Sequence, residues 1–223
     1  MAQAIQIKIC GLQPGDDLAF TTDPLVSHIG IIFVEKSRRY VPPMQAAKIT
    51  GQLAKANACR SVGVFVDTPI DVIERTIEQS GIEVVQLHGN ESVSDCAAVK
   101  QLGVDVWKAL SVPLANADPT ELLRKIEQYQ AVCDALLLDA QPPKDTTVTG
   151  GHGVSFDWRM LGVIEPYLNG RPWWIAGGIH PDNVRKLLSV CRPTGIDISS
   201  GVETNGRKDL EKIQQLLKAV NGV

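Results

Sequence analysis

Several residues that could move a proton or hold an anion stand at the ends of short apolar runs. The stretch IQIKICG alternates apolar and polar residues from Ile5 to Ile9, then stops at Cys10 and Gly11. A thiolate at that point is a base or a nucleophile; a thiol there can equally be a small buried packing residue. A free thiol titrates near about 8.5, so base work needs a cation or hydrogen-bond donors close to the sulfur. Lys8, two residues earlier on the same strand, is the candidate cation, whereas a bound phosphate dianion would oppose the thiolate. Asp139 closes the run ALLLDA. A carboxyl buried there would keep its proton to higher pH and suit general-acid work, or it would serve as a structural hydrogen-bond acceptor. Farther on, AGGI places Gly177 and Gly178 just before the helix-opening HPDNV, and GIDISSG ends on Ser199, Ser200 and Gly201. Glycines let backbone amides approach an anion, and the first N–H groups of a helix have no internal partner, so this pair of segments reads as a phosphate site.

Such groups act together only if the fold gathers the ends of the runs. Eight β-rich runs occupy residues 5–10, 29–34, 62–66, 83–88, 105–110, 135–140, 172–178 and 195–201. Between them, helical spacing or helix start and stop signals mark residues 42–58, 69–81, 91–103, 118–130, 180–190 and 207–220. Strands alternating with helices form parallel sheets, and eight units in one chain predict a single-domain (β/α)8 barrel spanning residues 1–223. An open doubly wound sheet is the alternative, but CGLQPGDD is not the G-x-G-x-x-G turn that such a sheet would carry after its first strand. In a barrel the active site sits at the carboxyl ends of the strands, and the loops after strands seven and eight are the usual phosphate site. Cys10, Asp67, His88, Asp139, Gly177, Gly178, Ser200 and Gly201 all fall at such ends, with Arg38 and Arg39 on the loop after strand two.

Composition narrows the remaining classes. A 44% apolar and 21% charged chain is ordinary for a globular protein. A net charge of −3 without a lysine/arginine block argues against nucleic acid or an anionic membrane as partner. No apolar run approaches membrane-spanning length, and no basic segment followed by an apolar run opens the chain. The five cysteines form no C-x-x-C pair, which fits free thiols in the cytoplasm rather than a disulfide framework or a zinc site. The glycine- and threonine-rich stretch at 141–158 reads as a loop that closes over ligand, with Asp157 as a helix cap.

Taken together, KICG, GIIFVEKSRRYV, VGVFVD, VVQLHGNE, LLLDA, GGHGVSFDW, IAGGIHPDNV and GIDISSGVETNGRKDLEKI are similar, in order, to the phosphoribosylanthranilate isomerases of tryptophan biosynthesis. The resemblance implies an Amadori rearrangement of N-(5-phosphoribosyl)anthranilate without metal or organic cofactor. It assigns the base to Cys10, the acid to Asp139, the substrate carboxylate to Arg39, and the phosphate to Gly177, Gly178, Ser200 and Gly201. His88 and Asp197 stand nearby, the first as a packing and hydrogen-bonding residue, the second facing either the barrel interior or the substrate. Some stretches depart from the family pattern: His152 in GGHG, an atypical first helix in the crossover PGDDLAFTTDPLVSHIG, Arg38, and a shortened GVETNGRKD, the last three read as peripheral to the chemistry. The partner expected is a small phosphosugar, with the chain a monomer or homodimer. Two other readings remain: a different phosphosugar isomerase on the same barrel, whose members usually pair two aspartates, and a phosphate-binding paralogue that has lost turnover.

Overall fold

Eight parallel strands close into a barrel in sequence order: β1 (Gln6–Cys10), β2 (Val26–Ile32), β3 (Arg60–Phe65), β4 (Val84–Leu87), β5 (Asp105–Ser111), β6 (Ala135–Asp139), β7 (Trp173–Ala176) and β8 (Gly195–Ile198). β8 returns to β1, with Lys8 paired opposite Asp197, so no sheet edge is left. The computed structural model describes residues 4–53, 59–113, 118–139, 158–168 and 170–222. Helices α1 (Pro43–Leu53), α2 (Ile70–Ser80), α3 (Val93–Lys100), α4 (Thr120–Gln130), α5 (Arg159–Ile164) and α6 (Val184–Leu188) supply crossovers, and α7 (Leu210–Asn221) follows β8.

Local chemistry sets the helix limits. Pro69 precedes α2, and Gly81 ends it in the left-handed region at φ 66°. Ser92 and Asp95 cap the start of α3 reciprocally, and the Asp209 carboxylate accepts two backbone N–H groups at the start of α7. Ile213, Leu216, Leu217 and Val220 are the buried stripe of α7, each contributing about 1.5–3 kcal/mol by leaving water.

Two expectations change. The first crossover contains no α-helix, only a 3-10 turn at Ala19–Thr22. Pro14 and Gly15 interrupt the chain, and Asp17 and Asp23 turn it by accepting from the amides of Ala19 and Leu25. The second strand begins at Val26 rather than residue 29, because its first residues pair with Ile7 and Lys8.

Alternation along the strands divides the core. Ile7 and Ile9 face outward, toward the layer of apolar residues beneath the helices, and Trp173 joins that layer. Val62, Val84, Trp107, Leu137 and Trp174 pack together inside the barrel. Adjacent Trp173 and Trp174 thus serve two different layers. His28 lies among the interior aromatics, its ring centroid 4.8 Å from Trp107 and 5.0 Å from Trp174.

Burial, reinforced by the Lys8 and Arg60 charges, pushes the His28 pKa down to about 3. The folded protein therefore holds this imidazole neutral, while the unfolded chain takes a proton below about 6.5. Its stabilising effect is complete above that value and is lost as pH falls towards 3. Between pH 7 and 4.5 this one group should remove about 2–3 kcal/mol of stability. Urea unfolding at several pH values should give a flatter dependence for His28→Gln by that amount; parallel curves for the two proteins would refute the assignment.

Candidate active site

The inward positions change character near the carboxyl ends of the strands. Cys10, Arg39, Asp139, Gly177, Gly178, Ser200 and Gly201, all seven site residues expected from sequence, line one cavity of about 310 Å³. His88, Asp197 and Ser199 share its wall.

Cys10 ends β1 on the face shared with Lys8, and its side chain is buried. Burial pushes the thiol pKa up; the Lys8 ammonium opposes that, while the Asp197 carboxylate adds to it. Lys8 therefore favours thiolate, as its place on the strand suggested, but does not overcome the desolvation. Part of its charge is already answered: Nζ donates to Asp197 Oδ2 at 2.8 Å, with both side chains buried. Desolvation works against the lysine charge, yet Asp197 and then the cysteine hold its pKa above the ordinary value. An ion pair this deep is weak support for stability because both partners lose hydration, but it fixes geometry. Asp197 both turns inward and reaches the cavity. Oδ1 has no partner among the described residues, and the same holds for the buried Ser199 hydroxyl.

Across the barrel, Asp139 closes β6 and is buried. His88 Nε2 lies 3.1 Å from its Oδ2, and Gln86 Nε2 lies 3.1 Å from the other ring nitrogen. With the Gln86 amide donating to Nδ1, Nε2 carries the proton and donates to Asp139. His88 thus orients the carboxyl, in line with the hydrogen-bonding part read for it. Lys108, inside β5, is structural: its ammonium donates to the Leu87 and Gly89 carbonyls and to Glu91, fastening the end of β4. Asp67 accepts from the Asn90 backbone and likewise ties two loops together.

The phosphate-type glycines sit in two touching loops. Gly177 and Gly178 have φ of 96° and 64°. A side chain on Gly201 would fall onto the Ile179 carbonyl, so only glycine allows the loops after β7 and β8 this approach.

Arg39 is anchored by a residue that the sequence reading passed over. Its Nε–H donates to Glu203 Oε1 at 2.7 Å and its Nη2 to Oε2 at 2.8 Å. Glu203 belongs to a small hairpin, β9 (Glu203–Thr204) and β10 (Arg207–Lys208), turned at Asn205 and Gly206 with positive φ. Opposite Glu203 in register, Lys208 donates to Oε1 at 2.8 Å. Burial alone would raise the Glu203 pKa; the hydrogen bonds from Arg39 and Lys208 overcome it and hold it at about 2. Gly11, at φ 82°, leaves room for this arrangement, since a Cβ there would lie 2.6 Å from Arg39 Cδ. The shortened stretch read as peripheral therefore forms part of the site. The only sequence signal for it was an acid following the SSG turn. The loop at 141–157, with His152 and Asp157, lies outside the described residues.

Comparison with known proteins points to one family. The family model described as N-(5'phosphoribosyl)anthranilate (PRA) isomerase matches residues 7–219. The N-(5'-phosphoribosyl)anthranilate isomerase of Paracoccus denitrificans is 38% identical over 216 residues, covering 96% of each chain. The crystal structure of phosphoribosyl anthranilate isomerase from Thermotoga maritima superposes with a TM-score of 0.82 at 30% identity, over 98% of this chain and 100% of that one. A second solved structure, phosphoribosyl anthranilate isomerase in complex with reduced 1-(o-carboxyphenylamino)-1-deoxyribulose 5-phosphate, gives 0.79 at 28% identity over 98% and 100%. A matching barrel, a family model spanning residues 7–219 and full-length similarity lead to one conclusion: the chain belongs to the phosphoribosylanthranilate isomerase family.

Proposed function

We infer that the chain rearranges N-(5-phosphoribosyl)anthranilate to 1-(2-carboxyphenylamino)-1-deoxyribulose 5-phosphate, an intramolecular aldose–ketose isomerisation in tryptophan biosynthesis. The observation that carries this reading is the single cavity in which a thiol, a buried carboxyl, a guanidinium and two glycine loops meet. Asp139 protonates the furanose ring oxygen, and the C1–O bond breaks to give an iminium. The electron-poor iminium acidifies the C2–H bond, and Cys10 takes that proton as thiolate. The C–H electrons form the C1–C2 double bond and neutralise nitrogen; the resulting enolamine tautomerises to the ketone. Neither oxidant nor reductant enters. Asp197 lines the same cavity with an unpartnered Oδ1, and a carboxylate there would stabilise the iminium charge. Arg39 holds the anthranilate carboxylate, and Gly177, Gly178, Ser200 and Gly201 hold the phosphate.

Among the described residues no helix is long and apolar enough to cross a membrane. The five free thiols fit a reducing compartment, and we place the enzyme in the cytoplasm as a monomer or homodimer.

The test is direct. Purified protein mixed with the aminoaldose should, by proton NMR, replace the C1 anomeric signal with that of a C1 methylene. Saturable phosphosugar binding without that change would favour the paralogue lacking turnover.

A further inference from the structure

We propose that Glu203 is a positioning residue for substrate recognition: it holds one edge of the Arg39 guanidinium so that the other edge is presented, already oriented, to the carboxylate of the substrate. This rests on the reading that Arg39 binds that carboxylate.

A guanidinium offers five N–H groups on a rigid plane and can receive a carboxylate on either of two edges. Glu203 occupies the edge formed by Nε and Nη2. The edge formed by Nη1 and the second Nη2 hydrogen donates to no acceptor among the described residues, and Arg39 lines the cavity with its side chain 16% exposed. An unanchored arginine would have to give up its rotamer freedom on binding; here that freedom is already lost.

Glu203 is itself built in. Lys208 donates to Oε1 and also, at 3.1 Å, to the Ser199 carbonyl next to the phosphate-type loop. Lys212 donates to the Glu203 main-chain carbonyl at 2.7 Å. Arg38, 67% exposed, approaches Oε2 at 3.4 Å from outside. The carboxylate thus joins the arginine on the β2 side of the cavity to the loop after β8.

Electrostatics and orientation predict opposite signs for Glu203→Gln. Removing a negative charge beside Arg39 would by itself favour an anionic substrate and lower KM. Losing the two-point grip should raise it, because an amide has only one acceptor oxygen and turns its NH2 against the guanidinium. We expect KM for the carboxylated substrate to rise about tenfold, with kcat changed less than threefold. For the analogue carrying aniline in place of anthranilate, KM should stay within about twofold of wild type. A fall in KM for the carboxylated substrate, or an equal rise for both substrates, would overturn the proposal; the second result would assign Glu203 to the phosphate loop through Lys208.

Arg39→Ala separates the two levels of inference. If it leaves KM for the carboxylated substrate unchanged, the carboxylate reading of Arg39 falls and takes this proposal with it. If Arg39→Ala raises KM and Glu203→Gln does not, the positioning role alone is wrong. In the double variant, KM should be no higher than in Arg39→Ala, since Glu203 then has nothing to orient; additive increases would overturn the proposal. Glu203→Asp keeps the charge near Lys208 and gives the same readout should the glutamine variant fold poorly; its KM should lie between wild type and Arg39→Ala, and a value equal to wild type would count against the two-point grip.

Discussion

Cys10→Ser should lower kcat by about 100- to 10,000-fold while leaving the barrel intact. The substitution exchanges sulfur for oxygen at a buried strand end and changes little volume, so an unfolding midpoint near that of wild type is expected. The chemical change is much larger. A hydroxyl releases its proton far less readily than a thiol, and Lys8 beside residue 10 is a cation already bonded to Asp197, not a base. The wild-type thiol is itself pushed upward, chiefly by burial. Deprotonation activates it, and below its pKa the thiolate fraction grows about tenfold per pH unit. A limb of kcat/KM that rises with pH should therefore be present in wild type and absent in Cys10→Ser. Single-turnover measurements over a pH series check both statements. Serine activity within threefold of wild type, with the rising limb retained, would remove Cys10 from the proton transfer.

Much of this architecture could be read from local pattern because its causes are local. Alternation in IQIKIC reflects the two faces of β1, and the run ALLLD marks a strand covered on both sides. The ends of those runs named Cys10 and Asp139, and the Gly177–Gly178 pair and the Ser-Ser-Gly turn marked the two loops. Residues acting across the barrel were harder to see. Glu203 and Arg39 are 164 positions apart, and no periodicity links a residue in a two-residue strand to a loop after β2. Gly11 appeared only as a stop signal, although its missing side chain makes room for Arg39. Asp197 remained undecided from sequence because its two oxygens do different things, one binding Lys8 and the other left without a partner. The first crossover misled for a local reason: helices are the usual parallel connection, but aspartate turns and two prolines suffice over this short path.

Asp139→Asn should also cost about 100- to 10,000-fold in kcat, but at a different bond. Asparagine nearly matches the shape of the carboxyl, and its amide oxygen can still accept from His88, so the Gln86–His88 arrangement should persist. What it lacks is an acidic proton for the departing ring oxygen. C1–O cleavage then becomes the slow step, and removal of the C2 proton follows it. Substrate carrying deuterium at C2 distinguishes the two variants. In Cys10→Ser the carbon proton transfer limits turnover, and a full primary isotope effect should appear. In Asp139→Asn that effect should fall towards unity, because the isotopic bond breaks after the slow step. A full effect in Asp139→Asn would transfer Asp139 to the carbon proton, and an effect near unity in Cys10→Ser would do the reverse for sulfur. Cys10 and Asp139 occupy strands on different sides of one cavity, β1 and β6, so under the proposed mechanism each acts on its own atom of the sugar. Their separate isotope signatures are the kinetic counterpart of that placement.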